Sequence, residues 1–289
     1  LKIIFMKWSG RRQSDNVEDR RSIGGKGIAG IGGIGAIVIA VIYFFVTKDP
    51  SQLLNTIQQG GGTQTEQLDA VAQAKQDTLA KFIGVVLADT EDVWNKLFKS
   101  MGKTYDMPKL VMFTGSVESA CGNAQASVGP FYCSGDAKVY LDLGFLEELQ
   151  AKLGAQGDFA QAYIIAHEVG HHVQNLLGTL EKVHGKRGQL SEEDYNDLSV
   201  RCELQADFLA GVWAHHAQKM KSILESGDIE EAVNAAGAVG DDKIQMENQG
   251  YVVPDSFTHG TSAQRTKWFL LGFKTGDINK GDTFSAKNL

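Results

Sequence analysis

The sequence has little basic charge outside its N-terminal segment, and its main part is acidic. Of 289 residues, 28 are Lys or Arg and 35 are Asp or Glu. Residues 1–47 hold seven of the basic residues and three of the acidic ones, so the balance beyond them is strongly acidic. Because binding to nucleic acid phosphates requires clustered basic side chains, this deficit argues against nucleic acid as a partner. The chain also lacks an internal repeat, so one sizeable domain with accessory segments is expected.

Cysteine is scarce, with three residues in the whole chain. Cys121 and Cys133 lie in a loop-rich stretch containing Gly and Ser, and such a pair can form a disulfide in an oxidising compartment. A bridge of this span would stabilise the loop by about 3 kcal/mol on the loop-closure model. Two reduced, buried thiols are the alternative. Cys202 lies in the middle of a predicted helix and is expected in the core.

One stretch lacks charge altogether. Its length matches the roughly 20 apolar residues that a helix needs to cross a bilayer, and residues 28–46 read IAGIGGIGAIVIAVIYFFV. The run ends in Tyr43, Phe44 and Phe45 rather than in a small-residue cleavage site, which favours an uncleaved anchor over a signal peptide. The sequence therefore predicts a transmembrane helix over residues 28–47, with a buried core helix as the alternative.

Basic residues flank this run unequally. Arg and Lys residues cluster before it, and only Lys48 closely follows it. The positive-inside rule then places the N-terminus in the cytoplasm and the main domain outside. Ala29 and Gly33 have the small-residue spacing by which two such helices can pack, which allows a homo-oligomer. Residues 1–5 precede Met6, and this leaves Met6 open as the true start.

Four segments are expected along the chain. They are a cytoplasmic basic tail (1–27), the transmembrane helix (28–47), a flexible tether rich in Gln, Thr, Ser and Gly (48–75) and one folded domain (76–289). Within the domain, apolar residues recur at helical spacing in five stretches: 77–101, 158–178, 191–224, 228–239 and 262–273. Short strands are indicated at 109–113 and 138–143. The expected fold class is α+β, mostly helical with a small sheet.

Residues 167–171 read HEVGH, which matches the H-E-x-x-H pattern. On a helix, His167 and His171 lie one turn apart on the same face, so both imidazoles can bind one metal ion. Glu168 lies beside the open coordination position and is expected to act as the general base. His172 points away from the shared face. The sequence therefore predicts a zinc site of the metallopeptidase type.

A third ligand must come from another segment, because catalytic zinc normally has three protein ligands and one water. Glu203 and Asp207 are also one turn apart on a predicted helix with apolar neighbours. An unpaired pair of carboxylates would be costly in such surroundings. We therefore expect Glu203 to bind the metal and Asp207 to accept the free ring N–H of a ligand histidine. Two solvated acids on a helix face are the alternative.

H-E-x-x-H followed by E-x-x-x-D resembles the gluzincin class of zinc metallopeptidases. More closely, the sequence is similar to the bacterial family of predicted neutral zinc metallopeptidases, the YpfJ-type inner-membrane proteins. The similarity runs from Lys7 to about Asp277 and rests on five motifs: RRQSDNVEDRRS, GPFYC, IAHEVGHHVQ, ELQADFLAGVW and VVPDSFTHGTSAQR. It implies a zincin-like (gluzincin) domain that holds one zinc ion per chain and hydrolyses peptide bonds in peptides or proteins.

The resemblance also implies roles for two further segments. Membrane gluzincins carry a short His-containing segment after the E-x-x-x-D helix, and it is similar to SFTHGTSAQR here. His259 is then expected near the substrate carbonyl, where a donor to the developing oxyanion is worth about 3–4 kcal/mol. Arg265 is expected to hold that segment through a buried ion pair. Val139, Tyr140 and Leu141, before the metal-binding helix, are expected to form an edge strand that pairs with an extended substrate.

The expected function is that of a membrane-anchored zinc metalloendopeptidase. It would be a single-pass protein of the bacterial cytoplasmic (inner) membrane, with a periplasmic or extracytoplasmic catalytic domain. One alternative is a zinc-binding protein that no longer cuts and serves as an interaction or quality-control factor of the cell envelope. Another is zinc-dependent hydrolysis of a different amide, such as one in cell-wall material. Glu168 favours catalysis over the silent alternative, because zinc retention alone does not require that carboxylate.

Overall fold

A computed structural model of the protein describes residues 6–21, 62–125, 129–146 and 157–289. Helices dominate these residues, and the sheets are small, so the predicted α+β class, mostly helical with a small sheet, is confirmed. The helices are α1 (Gly62–Ser100), α2 (Asp158–Leu176), α3 (Thr179–His184), α4 (Glu192–Lys221), α5 (Asp228–Ala238), α6 (Asp241–Gln249) and α7 (Ser262–Thr275). Two short 3-10 helices lie at Pro254–Ser256 and Ile278–Lys280.

Local signals account for where several helices begin. Helix α4 starts after Ser191, whose side chain accepts a hydrogen bond from the Asp194 N–H. Helix α7 starts with a capping box in which Thr261 and Gln264 each bond the other's backbone N–H. Such caps satisfy N–H groups that have no partner in the first helical turn. The helix starts predicted near 158, 191, 228 and 262 agree with these bounds.

The main sheet has four strands in the order β1–β2–β6–β5. Strand β2 lies parallel to β1 and β6, and β5 lies antiparallel to β6. Strand β6 is therefore interior, with Val139 opposite Leu110 on one side and opposite Tyr132 on the other. Strands β3 and β4 form a separate hairpin. The strands are β1 (Val17–Asp19), β2 (Lys109–Phe113), β3 (Ser116–Ser119), β4 (Gly122–Gln125), β5 (Phe131–Cys133) and β6 (Lys138–Asp142).

A disulfide joins Cys121 and Cys133, as predicted. Cys121 lies in the turn of the β3–β4 hairpin, and Cys133 ends strand β5. The bridge therefore ties the hairpin to one edge of the main sheet. Cys202 is a buried free thiol in α4, in agreement with its predicted place in the core.

The N-terminal residues pack on the main domain. The Met6 N–H donates to Asp158 Oδ1 at 2.9 Å, and Val17–Asp19 adds β1 to the sheet. Arg12 pairs with Glu91 at 3.0 Å, so a basic residue assigned to a separate tail neutralises an acid of α1. Residues 6–21 are thus an integral part of the fold.

The predicted localisation as a single-pass membrane protein is wrong. No helix within the described ranges combines the length and apolar composition needed to cross a membrane. Residues 6–21 also contact the domain directly. The predicted span at 28–47, with its helix-pairing residues, lies outside the described residues. Part of the predicted tether is helical, because α1 begins at Gly62 and continues unbroken to Ser100.

Two glycine contacts bring the helices around α4 close together. A Cβ added to Gly170 of α2 would lie 3.0 Å from the Ala206 carbonyl oxygen of α4. A Cβ added to Gly272 of α7 would lie 2.0 Å from the Phe208 carbonyl oxygen of the same helix. Because closely packed backbones leave no room for these atoms, only glycine permits the approach. Helices α2 and α7 therefore both lie directly against α4.

Candidate metal centre

Helix α2 presents the H-E-x-x-H residues from within the core. Nearly all of its residues are buried, which is typical of a helix packed on every side. His167 and His171 lie on one face, with ring centroids 4.8 Å apart and almost perpendicular planes. The Gly170–Ala206 contact brings this face against α4.

Helix α4 places Glu203 opposite the two histidines. Its Oε2 lies 3.1 Å from His167 Nε2, and its Oε1 lies 3.4 Å from His171 Nε2. The donor atoms of the three side chains all lie within 4.8 Å of one another. The structure thus brings together the three residues that the sequence predicted as metal ligands.

Asp207 and Arg265 orient His167 from behind. Asp207 Oδ1 lies 2.9 Å from His167 Nδ1, and Arg265 donates to both Asp207 oxygens at 2.8 and 3.0 Å. Asp207 is 0% exposed and Arg265 4%. Burial raises the pKa of Asp207, but the charges of Arg265 and His167 and the hydrogen bonds to both together lower it below its ordinary value. An ionised Asp207 holds the proton on His167 Nδ1 and leaves the Nε2 lone pair facing Glu203.

Gln174 orients His171 as Asp207 orients His167, and this role of Gln174 was not predicted from the sequence. Its Oε1 lies 2.8 Å from His171 Nδ1, while its Nε2 donates to the Cys202 carbonyl oxygen at 2.8 Å. The amide is therefore oriented by α4 and accepts the Nδ1 proton of His171. A signal was present in the sequence, because residues three apart on a helix lie on the same face.

The donor set fits a zinc ion. With both Nδ1 protons engaged, two Nε2 lone pairs and the Glu203 carboxylate face one point, and such electron-rich atoms repel one another unless a cation lies between them. The 3.1 and 3.4 Å separations also match the roughly 3.3–3.5 Å expected between ligands around tetrahedral zinc. Two imidazoles and one carboxylate are a ligand set found in catalytic zinc sites.

The residues of this cluster also shift one another's pKa values. Burial lowers the pKa of His171, but the negative charge of Glu203 raises it well above its ordinary value. Burial raises the pKa of Glu203, but the charge of His171 and the hydrogen bond from His167 lower it well below its ordinary value. The two imidazoles and the carboxylate thus stabilise one another's charged forms.

Glu168 lies next to this cluster with its carboxylate unengaged. It is buried, it lines the same cavity as the three ligand candidates, and no side-chain hydrogen bond to it occurs among the described residues. Burial raises the pKa of Glu168, although the charges of His167 and His171 oppose this effect. The carboxylate is therefore more basic than an exposed one and is free to take a proton.

His259 lines the same cavity and is held by Asp241, a residue that sequence reasoning missed. Asp241 Oδ1 lies 3.2 Å from His259 Nδ1, and Asp241 Oδ2 accepts the His259 and Gly260 backbone N–H groups at 2.6 and 2.9 Å. The hydrogen bond with Asp241 raises the pKa of His259, against the effect of burial. The ring is 52% exposed and reaches the solvent of the cavity.

The cavity has a volume of about 580 Å³ and an apolar side. Strand β5 contributes to its wall, together with helices α2 and α3; its apolar lining includes Phe131, Phe145, Ile164, Leu180 and Val183. The predicted substrate strand, Val139–Leu141, is not an edge. Strand β6 lies between β2 and β5, Val139 and Tyr140 are paired on both sides, and all three residues are buried, so this strand is poorly placed to pair with a peptide. The edge next to the cavity is β5.

The remaining histidines are engaged elsewhere or lie outside the cluster. His172 Nε2 lies 2.6 Å from the Asp106 carbonyl oxygen and its Nδ1 lies 3.0 Å from the Tyr132 hydroxyl. His215 and His216 contact backbone carbonyl oxygens at the end of α7. His184 lies at the cavity wall. The expectation that His172 is not a ligand agrees with these contacts.

The fold and this site define a class of protein: an α+β metalloprotein whose ligand candidates come from an H-E-x-x-H helix and the long helix packed against it. The family follows from comparison with known proteins. A family model described as "Putative neutral zinc metallopeptidase" matches residues 6–284. The chain belongs to this family, and the family implies zinc as the metal.

Relatives at high identity cover most of the chain. The protein named YpfJ of Escherichia coli K12 is 49% identical over 288 residues, which span 96% of this chain and 99% of that protein. The protein Rv2575 of Mycobacterium tuberculosis H37Rv is 42% identical over 219 residues, 72% of this chain and 73% of the relative. Both are named as uncharacterized, so they support family membership and no activity. No solved structure matches the chain significantly.

Proposed function

We propose that the protein is a zinc-dependent metalloendopeptidase in which Glu168 is the general base. The observation that carries the proposal is the convergence of His167, His171 and Glu203 beside an unengaged, buried Glu168 at the wall of an open cavity. A purely structural zinc site has four protein ligands, whereas three ligands and a neighbouring carboxylate are typical of hydrolysis. We also propose that the domain is gluzincin-like, supported by the order of an H-E-x-x-H helix followed by a helix with Glu203 and Asp207.

Each residue of the site has a role in this proposal. When bound, zinc would lower the pKa of a coordinated water towards about 7 and polarise the substrate carbonyl. Glu168 accepts the proton of the attacking water and delivers it to the leaving amine, which its raised pKa favours. Asp207 and Gln174 keep the two histidines in the tautomer that exposes Nε2.

His259 would stabilise the negative charge that develops on the carbonyl oxygen. Asp241 raises the pKa of His259, so the ring is protonated more readily. Asp241 also accepts hydrogen bonds from the His259 and Gly260 N–H groups, which restrains the position of the ring. A positioned donor of this kind is worth about 3–4 kcal/mol where water is excluded, and less at a half-exposed ring. We therefore expect His259 to affect turnover more than substrate affinity.

The substrate in this proposal is an extended peptide on the edge of β5. Phe131–Cys133 is an edge strand in the described sheet and adjoins the cavity, so its backbone can pair with a peptide by β-augmentation. The apolar lining next to His167 favours a large apolar side chain close to the cleaved bond. Among the described residues that line the cavity, we find no comparable feature that favours a cell-wall amide as the substrate.

The experiment combines zinc content with peptide cleavage. The zinc-saturated chain is incubated with a peptide library that varies apolar residues, and the products are identified by mass spectrometry. Glu168→Gln should retain about one zinc per chain and lose roughly 100- to 10,000-fold in turnover. Glu203→Gln should lose zinc as well as activity. Glu193→Gln, at an exposed position in α4, is the matched control and should behave as the parent.

Four outcomes would contradict the proposal. Full turnover in Glu168→Gln would remove the general base. Undiminished zinc binding in Glu203→Gln would remove the third ligand. A zinc-loaded parent that cuts cell-wall fragments but no peptide would move the activity to the other amide class, and one that cuts neither would leave a silent zinc-binding protein.

A further inference from the structure

Three carboxylates meet at the other end of the helix that carries the zinc ligands. Asp158 is the first residue of α2, and Asp228 and Glu231 lie in the first turn of α5. One oxygen from each lies within 4.8 Å of the others. We call these three residues the acid cluster. It shares no residue with the metal centre and has no part in the proposed hydrolysis.

Two oxygens of the acid cluster are buried without a partner. Asp158 is 7% exposed and Asp228 0%. Asp158 Oδ2 and Asp228 Oδ1 have no hydrogen-bond partner, and within the described part of the chain no Lys or Arg side chain pairs with any member of the cluster. A buried carboxylate oxygen left in this way is costly, so these two atoms call for a ligand.

The other oxygens are held by backbone N–H groups, which orient the carboxylates. Asp158 Oδ1 accepts from the Met6 N–H at 2.9 Å, and Asp228 Oδ2 accepts from the Glu225 N–H at 2.9 Å. Glu231 Oε2 accepts from the N–H of Phe159 at 3.0 Å. Each carboxylate is therefore fixed by one oxygen. For Asp158 and Asp228 the second oxygen remains available for a ligand.

A glycine makes room for the third carboxylate. A Cβ added to Gly157 would lie 1.8 Å from the Glu231 carboxyl carbon, and the φ of Gly157 is +118°. Any other residue would be strained at this φ and would displace Glu231. The local backbone is thus built so that Glu231 reaches Asp158 and Asp228.

The three acids of the cluster lie close enough to raise one another's pKa values. Burial, with the charge of the neighbouring acids, raises the pKa of Asp158 to about 6 and that of Glu231 to about 7. Without another cation the cluster therefore retains protons near neutral pH, and a cation that binds the ionised acids would displace them.

We propose that Asp158, Asp228 and Glu231 bind a calcium ion. All three ligands are carboxylate oxygens, which hard divalent cations prefer over the nitrogen and sulfur ligands of zinc. Their mutual distances of at most 4.8 Å allow one ion to contact all three carboxylates. Magnesium keeps several waters in a strict octahedron, for which the buried Asp158 and Asp228 leave little space.

A cation here would join three parts of the fold. The cluster contains the start of α2 and the start of α5, and Asp158 also holds the N-terminal segment through Met6. The ion would therefore fix the N-terminal end of the helix that carries His167 and His171. Its expected effect is on stability and on the order of these segments, with zinc content unchanged.

The test is a calcium titration of the full 289-residue chain, saturated with zinc, at pH 7.5. Melting temperature is followed against calcium chloride, and bound calcium is counted after equilibrium dialysis. We expect about one calcium per chain and a rise in melting temperature that saturates with it. Magnesium chloride should require at least tenfold higher concentration for the same shift. No bound calcium and no shift would overturn the proposal, and an equal response to magnesium would overturn the choice of calcium.

Variants separate the acid cluster from general charge effects. Asp228→Asn and Glu231→Gln should each weaken calcium binding at least tenfold. Glu230→Gln, at an exposed position of the same helix, removes the same charge and should bind calcium as the parent does. If Glu230→Gln weakens binding as much as the cluster variants, the site is not at the acid cluster. The parent titration decides the proposal even where a variant folds poorly.

Discussion

Helix α2 contributes to two buried groups of acids that differ in how their charge is balanced. At the metal centre, Asp207 is paired with Arg265, and Glu203 lies between His167 and His171. About 14 Å earlier along the helix, the acid cluster around Asp158 has only backbone N–H partners among the described contacts. At the metal centre, Arg265 and the two histidines can balance the negative charge of the acids. Among the described residues, the acid cluster has no basic side chain that does so.

Buried aspartates in the two groups differ in the direction in which their pKa is shifted. A protein cation lowers the pKa of Asp207 although the residue is completely buried, whereas burial beside like charges raises the pKa of Asp158 to about 6. The deciding quantity is therefore the local charge balance rather than burial alone. Three experiments test the two groups, in order of decreasing effect.

Removing the protein cation should cost the most. Arg265→Met leaves Asp207 buried and without its ion pair, and we expect the free energy of unfolding to fall by about 3–5 kcal/mol. Urea denaturation of the zinc-free chain measures this loss without interference from zinc. Lys267→Met removes a charge from an exposed position of the same helix and should change stability by less than about 1 kcal/mol. Equal losses in the two variants would mean that the buried pair has no special role.

Removing a neutral orienting group should have an intermediate effect, on zinc affinity. Gln174→Leu deprives His171 Nδ1 of its acceptor, and loss of such a contact typically weakens metal binding by roughly 10- to 100-fold. Competition with a chromogenic chelator measures the zinc dissociation constant. Gln189→Leu, at an exposed position, is the control and should bind zinc as the parent does. Unchanged affinity in Gln174→Leu would show that α2 alone orients His171.

Changing the protonation of the acid cluster should have the smallest effect. The pKa of Glu231 is about 7 in the folded chain and about 4.5 in the unfolded chain, so between these values the folded state binds more protons. Without metals, the free energy of unfolding of the parent should therefore fall as pH rises from about 5 to 8. Relative to Glu231→Gln, the fall should be on the order of 1 kcal/mol after allowing for solvent screening.

Calcium should abolish this pH dependence, because it neutralises the cluster in its ionised form. The comparison of parent and Glu231→Gln removes the contribution of the metal centre, which both chains share. A parent that instead gains stability over this pH range, relative to the variant, would show that Glu231 is ionised at low pH and stabilised by a partner.

Short-range patterns predicted the parts of the protein that one helix can specify. The pairs His167/His171 and Glu203/Asp207 are each one turn apart, and that spacing places both members on one face wherever the helix lies. The helix start predicted near Ser191 agrees with the observed cap at that residue. These inferences needed no knowledge of which segments meet.

Predictions that depended on how segments meet were less successful. Strand β6 was expected at an edge, but an interior strand and a half-buried edge strand have similar composition, and strand order is set by packing. Residues 6–21 were assigned to a separate tail because basic residues are typical of one, although Arg12 pairs with Glu91 of the domain. Asp241 was missed because its link to His259 crosses from α6 to the loop before α7.

Spacing along the chain fixed the chemistry available on each helix: two imidazoles on one face of α2 with a carboxylate beside them, and two carboxylates on one face of α4. Tertiary structure alone decided that these faces meet, because the approach depends on backbone packing at Gly170 and Ala206. It also decided which acids receive a cation. Asp207 meets Arg265 from α7, whereas Asp158 meets two further acids from α5, and no spacing along the chain specifies either encounter.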